Sequence, residues 1–371
     1  MNGAAPWSRT NHGILDHDIL NHAMKKILLA ILTLSIATLA AESIEELAPL
    51  PVPMTNNAVA GIRVNGQELL YSLMGLTSQK TVNSISNSAY ALNLKYNKWT
   101  VIKPVPGSGR LGAVAVGTRE QVFLFGGYVP NASGGQAIVS DVEIYDPTAL
   151  RWYRGADMPM GLRDAVAGSY RDRYIYVIGG FTNAGPTNQV QVYDAEADKW
   201  LQATASPGAA VGGHAGAVVR DTIVYVDGAQ KNSNPEDRRY VSSDECWLGK
   251  IDHHDPKKIQ WSKLPPHPGA ARYRIAAGGS ERDQKVYFAG GSDTVYDFNG
   301  IGFDGKPAEP SPTVFAFDLR SNASITIQEN APRPSMDHHG LIVTSDGLVV
   351  IGGMTSGQKV VANVRVLGKG K

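Results

Sequence analysis

Two stretches decide the fold of this chain: YIYVIGG, residues 174–180, and VQVYDAEADKW, residues 190–200. The first is a short apolar strand that ends in two glycines. The second is a strand that leads through a polar turn to Trp200. Glycine pairs end a strand where backbones crowd together or where a positive φ is needed. The two stretches therefore predict antiparallel strands joined by tight turns.

The same pattern recurs about every 50 residues along the chain. Short apolar strands ending in glycine lie at 69–75, 122–127, 174–180, 223–228, 285–291 and 348–353. Second strands lead to Trp99, Trp152, Trp200 and Trp261, and a fifth copy has Ile327 near the tryptophan position. We interpret these copies as one structural unit repeated six times.

A strand ending in Gly-Gly, a Tyr-Asp turn and a tryptophan strand resemble the kelch repeat, in which each copy is a four-stranded propeller blade. The last copy stops before a tryptophan strand, whereas SIEELAPLPVP, residues 43–53, is similar to the end of a blade. The prediction is an all-β, six-bladed kelch-type propeller. Its ring is closed by the N-terminal strand, which completes the C-terminal blade and removes an exposed edge.

The N-terminal sequence predicts three parts. Met24 and two lysines precede the apolar run ILLAILTLSIATLA, so residues 24–41 are predicted to be a cleaved signal peptide. Residues 1–23 are interpreted as a non-native upstream extension, with translation starting at Met24. Residues 42–371 form the single propeller domain. The apolar run is shorter than the roughly 20 residues of a membrane span, so we expect a periplasmic or secreted protein without a span in the mature chain.

Composition excludes several functions. Lysine plus arginine (35) nearly balances aspartate plus glutamate (34), which disfavours nucleic acid as a partner. One cysteine excludes a disulfide framework, and Cys246 has no ligand pattern of the copper oxidases built on kelch propellers. The chain has no GxSxG, HExxH, P-loop or Rossmann motif. No cofactor is predicted.

One polar residue precedes the innermost strand of each blade. Aligned by their small-residue strands, these six residues form one predicted column at the channel mouth, with Arg274 and His339 close by: Asn56, Arg110, Arg163, His214, Arg272 and His338. Asp164 follows Arg163 and Asp337 precedes His338, and these two carboxylates offset part of the positive charge of the column. Such a cluster favours a carboxylate or phosphate ligand. The alternatives are a scaffold role for the arginines, and a zinc site at the histidines, which the neighbouring arginines disfavour.

Two longer insertions are further candidates. The fourth copy carries a charged segment with Glu236, Arg238 and Arg239, which we expect to reach over the channel. The fifth copy carries DTVYDFNGIGFDGKPAEPSP, residues 293–312. Its Asp293, Tyr296 and Asp297 are candidates for contacting a sugar, because acidic and aromatic side chains suit sugar hydroxyls.

In size, signal peptide, blade number and basic mouth, the chain is similar to the bacterial periplasmic N-acetylneuraminate epimerase (sialic acid mutarotase) family. The resemblance implies a glutamate just after the fourth strand's glycine and an arginine a few residues later. Here Ala229 and Gln230 follow Gly228, which leaves Glu236 with Arg238 or Arg239 in those roles. Catalysis would be acid/base opening and closing of a hemiketal by Glu236 or His214, with the arginines on the carboxylate. The alternative is a noncatalytic propeller that binds a protein or glycan partner.

Overall fold

The computed structural model describes residues 1–3, 45–130, 135–234 and 239–368. The chain divides into two units, residues 1–43 and residues 44–371. Residues 1–3 of the first unit have no regular secondary structure. The predicted signal peptide, and all but three residues of the predicted extension, lie outside the described residues.

The second unit contains six four-stranded antiparallel sheets, which we number as blades 1 to 6 along the chain. Each blade is given from its innermost to its outermost strand. Blade 1 comprises Ala58–Val64, Gln67–Leu76, Ile85–Asn93 and Lys98–Ile102. Blade 2 comprises Val114–Gly117, Val122–Phe125, Val142–Asp146 and Arg151–Arg154. Blade 3 comprises Val166–Tyr170, Tyr174–Ile178, Val190–Asp194 and Lys199–Ala203.

Blades 4 to 6 repeat this order. Blade 4 comprises Ala215–Val219, Thr222–Val226, Cys246–Ile251 and Ile259–Lys263. Blade 5 comprises Ala276–Ser280, Lys285–Ala289, Val314–Asp318 and Ala323–Gln328. Blade 6 comprises Ile342–Val343, Leu348–Ile351, Val364–Leu367 and, outermost, Glu45–Leu47.

Four short hairpins follow the second strands of blades 2, 3, 4 and 6, on what we call the hairpin face. They pair Tyr128–Pro130 with Gln136–Ile138, Phe181–Thr182 with Gly185–Pro186, Ala229–Lys231 with Tyr240–Ser242, and Met354–Thr355 with Lys359–Val360. The described helical turns are the 3₁₀ segments Val82–Ser84 and Ser356–Gln358. In that part of the chain, no helix is long and apolar enough to cross a membrane.

The predicted six-bladed propeller and its closure are confirmed. The innermost strands contact one another in sequence from blade 1 to blade 6, and the strands of blades 6 and 1 also meet. Glu45–Leu47 pairs antiparallel with Val364–Leu367, so a strand from the start of the unit completes the last blade. A mixed blade of this kind closes the ring through backbone hydrogen bonds.

Close approach of the blades explains the small residues of the innermost strands. A Cβ added to Gly117 would lie 2.2 Å from the carbonyl oxygen of Gly61 in blade 1. One added to Gly278 would lie 2.2 Å from the carbonyl oxygen of Leu341 in blade 6. Because the obstructing atom is backbone in each case, no side-chain rotation relieves the clash. Glycine at these two positions therefore allows neighbouring blades to approach closely at the axis.

Tryptophans secure the outer rim of four blades. Each indole Nε1 donates to a backbone carbonyl just after the outermost strand of the preceding blade. The donors and acceptors are Trp99 to Ala48 at 2.7 Å, Trp152 to Lys103 at 2.9 Å, Trp200 to Ala156 at 2.8 Å and Trp261 to Thr204 at 3.3 Å. A large apolar ring with one polar handle suits this position between blades.

Candidate functional site

The segment that enters each blade contains one residue in the left-handed backbone region. In each blade, the residue before it forms an isolated bridge with a residue at the end of the second strand or shortly after it, as Arg163 does with Phe181 and Tyr273 with Ser292. These bridges identify the equivalent positions. The residues that follow the bridged ones have φ values between 52° and 69°: Asn56, Gly112, Asp164, Gly213, Arg274 and Asp337. We call this set the axial belt.

Backbone hydrogen bonds join the axial belt into a ring. The amide nitrogen of Asp164 donates to the carbonyl of Gly112 at 2.8 Å, and Gly213 donates to Asp164 at 2.7 Å. The remaining links are Arg274 to Gly213 at 2.8 Å, His338 to Arg274 at 3.2 Å, Asn56 to Asp337 at 3.1 Å, and Gly112 to the Asn56 side chain at 2.6 Å. These bonds hold non-glycine residues in a backbone region that they rarely adopt.

Three buried charged groups of the axial belt meet at the centre. Arg274 Nε and Nη2 donate to the two carboxylate oxygens of Asp164 at 3.0 and 3.1 Å, and Nη1 donates to Asp337 at 2.7 Å. Thr55 and Asn56 donate to Asp337 at 2.7 and 2.9 Å. Since Arg274 of blade 5 reaches Asp164 of blade 3 past the glycine of blade 4, this network crosses the propeller axis.

The charges of this layer balance. Arg163 also donates to Asp164, so two guanidinium groups face the carboxylates of Asp164 and Asp337. Burial by itself raises the pKa of Asp164, but Arg274 and Arg163 outweigh burial and hold that pKa well below its usual range. Burial lowers the pKa of Arg274, and the same carboxylates raise it well above its usual value. Asp164 and Arg274 therefore stay ionised at neutral pH.

An aromatic layer covers the network on the hairpin face. The Arg274 guanidinium lies 4.9 Å from the ring centre of Tyr273 and 5.6 Å from that of Tyr296. The Arg163 guanidinium lies between the rings of Tyr128 and Phe181, at 4.8 and 4.3 Å. Burial is the largest cause that raises the pKa of Tyr296, whose hydroxyl has no hydrogen-bond partner among the described residues.

The blade 5 insertion, residues 292–312, spans this face. Tyr296 packs at 5.2 Å from Tyr273, and Phe303 lies 5.5 Å from Tyr240 of the blade 4 hairpin. Phe298 joins an apolar cluster of blades 1 and 2 that contains Leu111. Gln358 of blade 6 donates to the carbonyl of Ala308 at 2.8 Å. The insertion thus contacts the loops of four other blades and caps the axis.

Beneath the axial belt, the innermost strands of all six blades line a central cavity of about 260 Å³. His214, His338 and His339 contribute to its lining. Burial lowers the pKa of His214 to about 4 and that of His338 to about 3, so both are neutral at pH 7. Neither ring nitrogen of His214 makes a hydrogen bond of ordinary geometry, although the nearby Ile178 carbonyl favours its protonated form.

The six residues predicted to form one column do not share one structural position, so that alignment is wrong. Asn56 belongs to the axial belt, Arg163 lies one residue before it, Arg110 and Arg272 lie two before, and His214 and His338 lie one after. Similar spacing in sequence concealed shifts of up to three residues, because the loops between blades differ in length. The proposed ligand-binding role of these residues stays a prediction.

The structure brings some predicted residues together and separates others. Asn56, Arg163 and Arg274 meet in the axial network, with His339 Nε2 at 3.4 Å from Asp164. Arg110 instead faces the third strand of its own blade, with Nη2 at 2.5 Å from Glu143. Arg272 occupies the position in blade 5 that Arg110 has in blade 2, and its guanidinium lies 5.2 Å from the ring centre of Phe315. It donates hydrogen bonds to the carbonyls of Pro268, Gly290 and Thr313.

The predicted blade 4 residues are only partly described. Glu236 and Arg238 lie outside the described residues. Arg239 is exposed, with its guanidinium 5.2 Å from the ring centre of Tyr240. Among the described residues, no group of three histidine, cysteine or acidic side chains is placed to hold a metal ion.

Sequence reasoning missed Tyr128 and Tyr273, which cover the network. Both had a visible signal: Tyr128 directly follows a strand-ending glycine pair, and Tyr273 lies between Arg272 and Arg274. Tyr296 was a sequence candidate for sugar contact, which stays a prediction, but its contact with Arg274 depends on how the insertion folds back over the axis, which no local pattern encodes.

Comparison with known proteins agrees with this architecture. The model of the KLHDC2/KLHL20/DRC7 kelch-repeats domain matches residues 61–291. N-acetylneuraminate epimerase of Salmonella arizonae is 24% identical over 314 residues, which cover 73% of this chain and 76% of that protein. Beta-scruin of Limulus polyphemus is 29% identical over 159 residues, and the match spans only 16% of its length.

A solved structure shows the same fold. The structure of YjhT superposes with a TM-score of 0.68 at 19% sequence identity. The match covers 87% of this chain and 97% of that one. The two chains therefore share one fold over most of their lengths.

Proposed function

Because this chain belongs to the kelch-repeat family, we propose that it binds an acidic sugar of the sialic acid class on the hairpin face of its propeller. Similarity to N-acetylneuraminate epimerases from several Salmonella strains, over most of both chains, supports this ligand class. One structural observation carries the proposal, namely the position of Arg163.

Arg163 offers a guanidinium to a ligand at this face. Its side chain is 12% exposed, against 2% for Arg274 and 3% for Arg110. The aromatic rings on either side fix its plane, and its Nε is buried without a partner among the described residues. A fixed planar guanidinium that keeps some exposure suits a carboxylate. The carboxylate of the sugar would bind here.

We assign the acid/base role of an epimerase to Glu236. This residue lies in the segment between Ala229–Lys231 and Tyr240–Ser242, and the Tyr240 ring is 5.1 Å from the Phe181 ring. The blade 4 hairpin is therefore next to Arg163. His214, the other sequence candidate, lines the central cavity beneath the axial belt. Ring opening needs a group that removes the proton of the anomeric hydroxyl and delivers a proton to the ring oxygen as the bond between that oxygen and the anomeric carbon breaks.

We also propose that the protein is exported to the periplasm or secreted. This proposal depends on the sequence of residues 24–41 alone, with its basic start and apolar run.

Calorimetric titration with N-acetylneuraminate and with neutral N-acetylglucosamine tests the binding proposal. We expect saturable binding of the acidic sugar and an affinity roughly 10-fold lower, or worse, in Arg163→Ala, since a lost charged hydrogen bond weakens binding to about this degree. Arg171→Ala is the matched control, because Arg171 lies 4.7 Å from the Tyr170 ring but is exposed at the rim. Equal affinity in both variants would remove Arg163 from the site.

A second candidate is a noncatalytic propeller that binds a glycan or a protein on the same face. The charge balance at the axis favours it, because Asp164 and Asp337 already neutralise the arginines without a bound anion. NMR exchange spectroscopy of the N-acetylneuraminate anomers separates the two. Accelerated exchange that disappears in Glu236→Gln indicates an epimerase. Binding without accelerated exchange indicates the noncatalytic function.

A further inference from the structure

A second pocket lies at the start of blade 6, away from the axis. Its volume is about 280 Å³, and it is lined by the segment that enters the blade, by the blade 6 hairpin and by the third strand. Arg365 of that third strand lies in its wall, and Arg333 lies in the segment that precedes the blade.

Arg365 is a buried cation without a carboxylate partner in the described structure. Its side chain donates to the hydroxyl of Ser335 and to the carbonyl of Arg333, and the residue is 4% exposed. Burial lowers the pKa of its guanidinium to about 10, with Glu46 opposing the change and Arg333 adding to it. A buried charge satisfied only by neutral dipoles is costly to the fold.

Blade 2 shows how a guanidinium in this layer is neutralised by a carboxylate. Glu143 occupies the position of Arg365, because each is the second residue of its third strand and pairs with the second-last residue of the second strand. There Arg110 binds the Glu143 carboxylate at 2.5 Å from one nitrogen and 3.2 Å from another. In blade 6, Ser335 stands where blade 2 has Arg110. Within the described part of the chain, blade 6 thus has a guanidinium in this layer but no carboxylate beside it.

The rim of the pocket supplies the rest of an anion site. Arg333 is 65% exposed and pairs with Glu46, which also accepts a hydrogen bond from Asn363 at 3.4 Å. Pro334 and Val361 form apolar walls. Two guanidinium groups beside an apolar surface suit a carboxylate attached to an apolar body.

We propose that this pocket binds a small monocarboxylate, whose charged group contacts Arg365 and Arg333 and whose apolar body contacts Pro334 and Val361. The site is independent of the acidic-sugar site at Arg163. The bound carboxylate takes the part that Glu143 has in blade 2.

Ligand-observed NMR titration of the whole protein with butyrate, butanamide and inorganic phosphate, at constant ionic strength, tests this site. We expect saturable butyrate binding, no binding of butanamide, and weaker binding of phosphate. Arg365→Gln should abolish butyrate binding, and Arg333→Gln should weaken it about 10-fold. Glu46→Gln should strengthen it, because Arg333 loses its present partner. Arg163→Ala should leave butyrate binding unchanged.

Specific outcomes overturn the proposal. Absence of saturable butyrate binding to the wild type, or equal binding of butanamide, excludes a carboxylate site. Phosphate binding as tight as that of butyrate excludes the monocarboxylate class. If Arg365→Gln does not fold, the exposed variants Arg333→Gln and Glu46→Gln decide, and unchanged affinity in both contradicts the assignment. Loss of butyrate binding in Arg163→Ala would show instead that butyrate occupies the acidic-sugar site.

Discussion

Replacing Arg274 by methionine tests whether the axial network holds the propeller together. Methionine keeps much of the apolar stem but leaves Asp164 and Asp337 buried, each with 0% side-chain exposure, without their shared cation. Removing one partner of a buried pair costs about 3–5 kcal/mol, because the remaining charge has no compensation. For a unit of this length, such a loss lowers the midpoint of a two-state thermal transition by roughly 4–7 °C.

The matched control is Arg282→Met. Arg282 also pairs with an aspartate, Asp283 at 3.2 Å, but its side chain is 63% exposed. A surface pair of this kind contributes about 0–1 kcal/mol. Calorimetric or circular-dichroism melting of both variants measures the difference. An Arg274→Met midpoint no lower than that of Arg282→Met would refute the argument.

The pH dependence supplies an independent readout. In the wild type the folded-state pKa of Asp164 is depressed. The stability that this carboxylate contributes is therefore fully present above its unfolded-state pKa and is lost as pH falls through the folded-state pKa. In Arg274→Met, Asp164 keeps only Arg163 to oppose burial, so the pKa of its carboxyl rises above the wild-type value, and protonation relieves part of the buried negative charge as pH falls. We therefore expect the gap in midpoint between the two proteins to narrow from pH 7 to pH 4.5. A gap that widens on acidification contradicts the assignment.

Two further predictions concern packing and titration. Gly278→Ala should lower the free energy of unfolding by about 1–3 kcal/mol, because its Cβ would lie 2.2 Å from the Leu341 carbonyl oxygen. Gly368→Ala is the control and should leave that free energy nearly unchanged, since nothing lies within 4 Å of the added Cβ. Chemical denaturation of both variants measures the difference. Burial lowers the pKa of His214 to about 4 and that of His338 to about 3, so below pH 6.5 the unfolded state binds more protons and stability falls as pH drops. His214→Asn should flatten this fall between pH 6.5 and 4, and an unchanged slope in thermal melts would contradict it.

The propeller could be predicted from the sequence because the residues that define each repeat have local structural roles. A glycine pair such as Gly179 and Gly180 takes positive φ values of 59° and 98°, and few other residues adopt these. Trp200 donates a hydrogen bond to the neighbouring blade, so a tryptophan that recurs at this position in each repeat indicates a contact between successive blades. Each signal depends on one blade and its neighbour, and the ring follows from repetition.

The candidate site was harder to predict, because it depends on contacts across the axis. Arg274 binds Asp164, 110 residues earlier in the chain, and no periodic pattern reports that pairing. A better signal was available in the axial belt. Asn56, Asp164 and Asp337 are residue types that tolerate left-handed backbone, and glycines occupy the same position in blades 2 and 4, so that only Arg274 departs from this pattern. Alignment on those turns would have given the correct register.

The axial network also restricts where a ligand can bind. Arg274 crosses the axis between blades 5 and 3, and the blade 5 insertion covers it, so the hairpin face and the central cavity are separated by a buried, charge-balanced layer. A carboxylate arriving from the hairpin face meets Arg163 first, since Arg274 is 2% exposed. His214, His338 and His339 lie on the cavity side. A sugar bound at Arg163 therefore contacts the loops of blades 2, 3 and 4, and its specificity should follow the sequence of those loops, not the composition of the cavity.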